Sequence, residues 1–267
     1  MTNNYYLTFL LIMKIRFLFS LLFLYADSIH AQENLQEIEK ILSADFQRIT
    51  DARLGSDDYS YDSIGKYNTL FRTDLLKYLT QYPATLQYPF DSLRSIHMEI
   101  VTSEDRLFRI YSWNTWMGGT ELDFENVMQY KSGDKVFIKA NRYTIVKNDD
   151  GYIFNFTQLY SLQANHKTYY LGTYLGIFSS QDAGMGIKVF TIKNNRLNDS
   201  VKLFKTRSGM ANEIYFTFVD NGERPLPFFQ FDAKNKIIRF PVVLANEKVT
   251  KRLISYQFTG SYFEKIK

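Results

Sequence analysis

The order of apolar and polar residues divides the chain into three stretches. Residues 17–26, FLFSLLFLYA, form one nearly continuous apolar run. From there to the low eighties the apolar residues recur in steps of three and four, the period of an amphipathic helix. Leu35, Ile38, Ile41, Leu42, Phe46 and Ile49 make a single stripe and predict a helix over 33–53. Gly55 ends it, and GSDDYSYDSIG (55–65) reads as a polar loop. Tyr67, Leu70, Phe71, Leu75, Tyr78 and Leu79 predict a second helix over 66–82, which Pro83 stops because proline has no amide hydrogen to continue the ladder. Both helices are short, and their stripes need a partner.

Past residue 95 the apolar period falls to two and aromatic and β-branched residues dominate, which is the pattern of strands. NDDG (148–151) and DNG (220–222) are hairpin turns, and SGD (132–134), KNNR (193–196) and AKNK (233–236) are further turns. About ten to twelve strands fit between 96 and 260. Connections this short force neighbouring strands to run antiparallel, since parallel strands need long crossovers. FRIYSW (108–113), IKVFTI (187–192) and IIRFPV (237–242) echo one another, but their spacing is irregular and three such units are too few for a closed propeller. The expected fold is mainly β with an N-terminal helical pair (α+β): a curved antiparallel sheet, a sandwich, or a partial barrel or propeller-like body. The expected division is 1–31 as a leader, 32–95 as a helical lead packed on the β body, and 96–267 as that body.

The apolar run changes meaning in its context. From Met13 the sequence MKIRFLFSLLFLYADSIHA has a basic start at Lys14 and Arg16, an apolar middle, and a more polar end closing on the small residue Ala31. That is the layout of a secretory signal, cleaved after Ala31, with translation starting at Met13. Counting from Met1 instead gives a membrane-spanning helix over 5–25, which would hold Lys14 and Arg16 mid-span at a cost of about 2.5–3.5 kcal/mol each. The expectation is therefore export to the periplasm or medium, with no membrane span in the mature chain.

Composition narrows the chemistry. The chain has no cysteine, which excludes disulfides, thiolate metal sites, a cysteine nucleophile and the acylation point of a bacterial lipoprotein. An exported, cysteine-free protein of this length fits a bacterial envelope better than an animal extracellular space. Removing the leader takes two of the 32 basic and one of the 28 acidic residues, so the net charge falls from +4 to +3. No Lys/Arg run exceeds two residues, which argues against a nucleic-acid partner.

The candidate sites are few. SEDRLFRIYSWNTWMGGT (103–120) holds both tryptophans. As a strand it places Arg109, Tyr111 and Trp113 on one face, with Trp116 on a glycine-bearing tip. Arginine interleaved with aromatic rings can hold a sugar or an aromatic ligand, and it can equally brace a core. The pattern S-x-D-x-x-x-R-x-Y-S-W (Ser103, Asp105, Arg109, Tyr111, Ser112, Trp113), followed by Gly118-Gly119-Thr120, resembles a motif of uncharacterised exported bacterial proteins. Members carry glycine after the aspartate, where this chain has Arg106. The resemblance implies export and a helical lead before a β-rich remainder, and no activity.

Glu121, Asp123 and Glu125 alternate along TELDFE and would share a strand face, as an acid and base pair for glycan hydrolysis or as oxygen ligands for a cation. His97 and His166 lie too far apart in sequence to form a helical metal pair, and no G-x-S-x-G or phosphate-cradling loop occurs. GMG (184–186) reads as a bulge in a crowded sheet. No cofactor and no metal are expected. The leading expectation is a non-enzymatic module binding an envelope partner or glycan. A glycan hydrolase and a purely structural envelope protein are the alternatives.

Overall fold

The computed structural model describes residues 34–55, 61–119, 121–140, 154–222 and 229–266; the leader expected at 1–31 and the NDDG turn lie outside them. Helix α1 covers 34–54 and buries Leu35, Ile38, Leu42, Phe46 and Ile49. Helix α2 (Tyr61–Gln81) buries Ile64, Asn68, Phe71, Leu75 and Leu79. It starts five residues before the pattern suggested, because Ile64 and the polar Asn68 continue the stripe that Phe71 begins. Pro83 ends it as expected and opens a 3-10 turn, Pro83–Leu86, before the one-turn helix α3 (Asp91–Ser95).

The rest is strands: β1 (Glu99–Thr102), β2 (Phe108–Asn114), β3 (Phe124–Ser132), β4 (Lys135–Ala140), β5 (Asn155–Ala164), β6 (Lys167–Ile177), β7 (Asp182–Lys193), β8 (Arg196–Asn198), β9 (Phe204–Thr206), β10 (Gly209–Ala211), β11 (Glu213–Val219), β12 (Gln230–Asp232), β13 (Ile237–Val243), β14 (Val249–Phe258) and β15 (Phe263–Ile266). They exceed the expected number because several are only three or four residues long. They form three separate sheets, none closed into a barrel. The first has the order β1-β2-β3-β4. The second runs β11-β7-β6-β5, with β8 also pairing β7, and the third β10-β9-β15-β14-β13-β12. Every pairing is antiparallel except one: β15 lies parallel to β9. The 56 residues between them supply the long crossover that a parallel pair needs.

The three sheets stack, with the helices outside the first. Tyr111, Trp113, Val127 and Ile100 of the first sheet share a core with the stripes of α1 and α2. The opposite face of that sheet, Phe108, Ile110, Met128 and Tyr130, packs on Phe156, Tyr170, Tyr174 and Phe190 of the second. The far face of the second sheet, with Leu171, Met185, Ile187 and Val189, meets Ile238, Phe240, Tyr256 and Phe263 of the third. The order is therefore helices, sheet, sheet, sheet. Phe108 anchors the middle interface, with its ring edge-on to Tyr170 at 5.2 Å and to Phe190 at 5.4 Å. Such aromatic pairs add about 0.5–1.5 kcal/mol beyond buried area.

Two local devices let large rings fit between sheets. In β5 the register shifts between Phe156 and Gln158. The extra residue, Thr157, turns Phe156 and Leu159 toward the same core. In β6 and β7, glycines lie under rings. A Cβ on Gly172 would stand 3.0 Å from the Phe156 ring, and one on Gly186 only 2.3 Å from Tyr174. The expected bulge at 184–186 is absent: Gly184 and Gly186 stay in regular register with both β6 and β11, and they serve as floor space for Tyr215 and Tyr174.

Candidate functional site

The stretch 103–119 is built around intramolecular contacts. Ser103 and Asp105 form a turn: the Ser103 hydroxyl donates to Asp105 Oδ1 at 2.6 Å, and Ser103 Oγ accepts the Phe108 amide at 3.0 Å. Asp105 also takes the Leu107 amide and the Tyr170 hydroxyl. Arg106 sits at φ 57°, a left-handed conformation in which glycine would be at ease. Its position in the motif is thus a turn position whichever residue fills it.

Arg109 is buried. Its guanidinium donates to Thr102 Oγ1 (2.7 Å) and to the carbonyls of Thr85 (2.8 Å) and Tyr88 (2.6 Å). It satisfies the carbonyls of the segment that joins α2 to the first sheet. Tyr111, fully buried, donates to Gln129 at 2.9 Å, and burial pushes its hydroxyl pKa up to about 12. The Trp113 indole N–H donates to Asn68 Oδ1 of α2 at 3.1 Å, with its ring edge-on to Phe71. Arg109, Tyr111 and Trp113 therefore face the helices, and neither side of β2 is open to a ligand. Of the two roles open to the arginine between aromatic rings, holding a ligand or bracing a core, the structure shows the second. Trp116 is half-buried at φ 59°, and the Arg53 guanidinium lies 3.4 Å over its ring. Gly118 is required by the tip, since a Cβ there would be 2.3 Å from the Glu121 carbonyl oxygen.

The three carboxylates do not share a face. β3 begins only at Phe124, so alternation does not extend back to Glu121. Glu121 is exposed, and Asp123 accepts the Thr115 hydroxyl at 2.6 Å. Glu125 is buried and ion-paired with Arg72 of α2. Burial raises its pKa to about 7; Arg72 opposes that rise and Asp123 adds to it. With one carboxyl exposed, one tied to a threonine and one inside, no acid and base pair flanks a common cleft. Among the described residues no group of three or more histidine, aspartate or glutamate side chains is placed to hold a metal ion. His97 and His166 are both exposed and lie in separate turns.

A cleft opens instead where the first two sheets end, with a volume of about 510 Å³. Lys131 and Ser132, at the end of β3, line it together with His166, Lys167, Tyr169 and Lys193 of the second sheet. One bond joins the sheet ends: the Tyr130 hydroxyl donates to the Asn195 carbonyl at 3.2 Å; within the first sheet the Lys131 amide donates to the Leu107 carbonyl at 2.8 Å. No carboxylate is among the described lining residues. Two acids near in sequence are already engaged, Asp105 as above and Asp199 with Lys139 at 2.7 Å, while Asp134 is exposed in the turn after Ser132. Among the described residues Lys131, Lys167 and Lys193 make no ion pair. The cleft is thus a concentration of positive charge on a chain whose charges are otherwise interspersed.

The lining residues come from three hairpin ends, YKSGDK, NHK and KNNR, separated by tens of residues. The only signal in sequence is a lysine beside each turn, and the Asn165–His166 turn was not recognisable as one. Both its residues have positive φ without a glycine. No family model matches this sequence, and neither a curated protein nor a solved structure matches it.

Proposed function

We propose that this chain is a non-catalytic binding module whose ligand site is the cleft between the ends of the first two sheets, and that its ligand is anionic. One observation carries this reading: three lysines without ion pairs and a histidine line a concave site free of carboxylates among its described residues. Like charges lining one cleft repel one another, and an anion relieves that repulsion. The volume of about 510 Å³ lies within the range of small-molecule sites. Both faces of the first two sheets are occupied by packing, which leaves their ends as the surface they offer for recognition.

The reading is tested by thermal melting of the purified protein against small carboxylates, phosphate esters and neutral polyols. A ligand that binds the folded state raises the midpoint by mass action. Anions are expected to raise it, less so at high salt, and the effect is expected to vanish in the double variant Lys167→Glu/Lys193→Glu. A midpoint indifferent to every anion, or a shift that survives in that variant, overturns the assignment.

A further inference from the structure

The positive charge does not stop at the cleft. In a body of up-and-down strands, successive hairpin turns fall at alternate ends, so the fold can sort charges that are interspersed along the sequence. One end collects the turns at 103–107 and 132–135 of the first sheet, 165–166 and 194–195 of the second, and 233–236 and 259–262 of the third. Three bonds tie them across the layers. Tyr130 donates to Asn195 as above, the Asn165 side-chain amide donates to the Gly260 carbonyl at 2.7 Å, and the Lys236 ammonium to the Gln163 carbonyl at 3.4 Å.

Basic residues in or beside these turns dominate this end in every layer. The first sheet brings Arg106, Lys131 and Lys135, and the second brings Lys167, Lys193 and Arg196. The third adds Lys234 and Lys236. Among the described residues none of these eight makes an ion pair. Of the carboxylates at the same turns, Asp105 is held by Ser103, Leu107 and Tyr170, and Asp232 by Asn235 and Arg239. The exposed Glu104 and Asp134 are left to offset the charge. The opposite end has the reverse sign. Its inter-strand turns hold Glu121, Asp123, Asp182, Asp220 and Glu247 against Lys248 among the described residues. Amide bonds from Leu122 to Ile177, from Asp220 to Gln181 and from Val219 to Glu247 gather those turns.

A small anion would engage one layer of the basic end. Stacked sheets lie about 10 Å apart, so the stack alone separates Lys135 from Lys234 by roughly 20 Å. Charges spread over that distance match a chain that carries charge at every repeat. None of the turns at this end has an exposed large apolar side chain to enter a bilayer, or an exposed ring on which a nucleic-acid base could stack.

We propose that this end binds a linear polyanion, a flexible polymer with an anionic group on each repeat, laid across the ends of all three sheets while the acidic end points away. This rests on the cleft binding an anion and extends that site to the third sheet. A lysine or arginine that meets such a polymer releases condensed counterions, so affinity rises with the length engaged and falls steeply with salt.

Titration calorimetry of the full chain tests this with long-chain polyphosphate and polygalacturonate, each against its own trimer at equal concentration of anionic groups. Co-sedimentation with phosphatidylglycerol vesicles is measured beside them. At least one polymer is expected to bind on the order of tenfold more tightly than its trimer, and the two polymers distinguish phosphate from carboxylate. Lys135→Glu/Lys234→Glu, both exposed and outside the cleft, is expected to remove the advantage of length and leave the trimers unchanged. Lys251→Glu/Arg252→Glu, exposed on β14 beside the turn of the opposite end, makes the same change in net charge and is expected to leave polymer binding intact. If polymer and trimer bind alike and Lys135→Glu/Lys234→Glu changes nothing, the polymer assignment fails while the anion cleft stands. Equal weakening by the two double variants would show attraction to net charge alone and overturn it as well. Binding to the vesicles without binding to either polymer would make the partner a bilayer and also overturn it. If no polymer or trimer binds, or Lys167→Glu/Lys193→Glu binds them normally with a native melting profile, the cleft itself is refuted.

Discussion

Glu125 brings a charge into the interface between α2 and the first sheet, and Arg72 compensates it only in part. Its folded-state pKa near 7 is above the ordinary carboxyl range, so the folded protein holds the Glu125 proton more tightly than the unfolded chain does. The sign follows by linkage. The contribution to stability is complete below about pH 4.5, the ordinary value, and is lost as the pH climbs through 7. Asp45, also raised by burial, adds a slope of the same sign. Glu125→Gln isolates the first of these, because the amide oxygen can still accept from Arg72. Relative to wild type, this variant is expected to gain on the order of 3 kcal/mol between pH 5 and 8 in denaturant titrations. A constant difference across that range would show that Glu125 ionises normally. This site was half legible in the sequence. TELDFE announces acids with a two-residue period, but where a strand begins decides which of them share a face, and Phe124 starts the pairing.

At the level of elements, the packing of the second sheet depends on small residues under large ones. Tyr174 lies across from Gly186 in the β6–β7 ladder and uses the space that a side chain there would fill. Gly186→Ala is expected to destabilise the fold by about 1–3 kcal/mol, the usual range for overpacking. Combining it with Tyr174→Leu should recover part of that loss, giving a non-zero coupling energy in a double-mutant cycle. Additive effects would mean that the ring and the glycine do not compete for the same volume.

The rings over Gly172 and Gly176 were readable from YYLGTYLGIF, since alternation puts glycines and aromatics on one face. The start of α2 was not, because its first turn is written in polar residues around Ile64. Nor was the inward role of β2. Arg109 could hold a ligand or brace a core, and its partners, the Thr85 and Tyr88 carbonyls, are brought to it by a chain segment far away in sequence, as Asn126 is to Ser112 at 2.5 Å.

For the whole molecule, period and turn chemistry suffice to anticipate a β-rich body led by helices, and the three-layer stack of sheets lies beyond them. Alternation specifies a strand and its two faces; it does not say which of three sheets the strand joins. FRIYSW, IKVFTI and IIRFPV do resemble one another, and each lies in an interior strand, β2, β7 and β13, of a different sheet. Their likeness is that of strands covered on both sides.

Export belongs to this scale as well. With no cysteine, these cores must hold without cross-links wherever the protein works. We propose secretion through the leader at 13–31. Cells expressing the full-length sequence are expected to release a chain whose intact mass places its first residue at Gln32, in the periplasm or medium. An uncleaved chain retained in the cytosol would refute that.

The parallel partnership of β9 and β15 has a consequence for biogenesis. β15 stands inside the third sheet, flanked by β9 on one side and β14 on the other. Until residues 263–266 arrive, β9 and β10 have no lateral neighbour linking them to β12–β14, and Phe204 lacks the ring of Phe263 at 5.6 Å. The helices and first two sheets can assemble while synthesis or translocation is still under way. The outermost layer must wait for residues 263–266, the latest of its strands in chain order, and these are the ones that lock it.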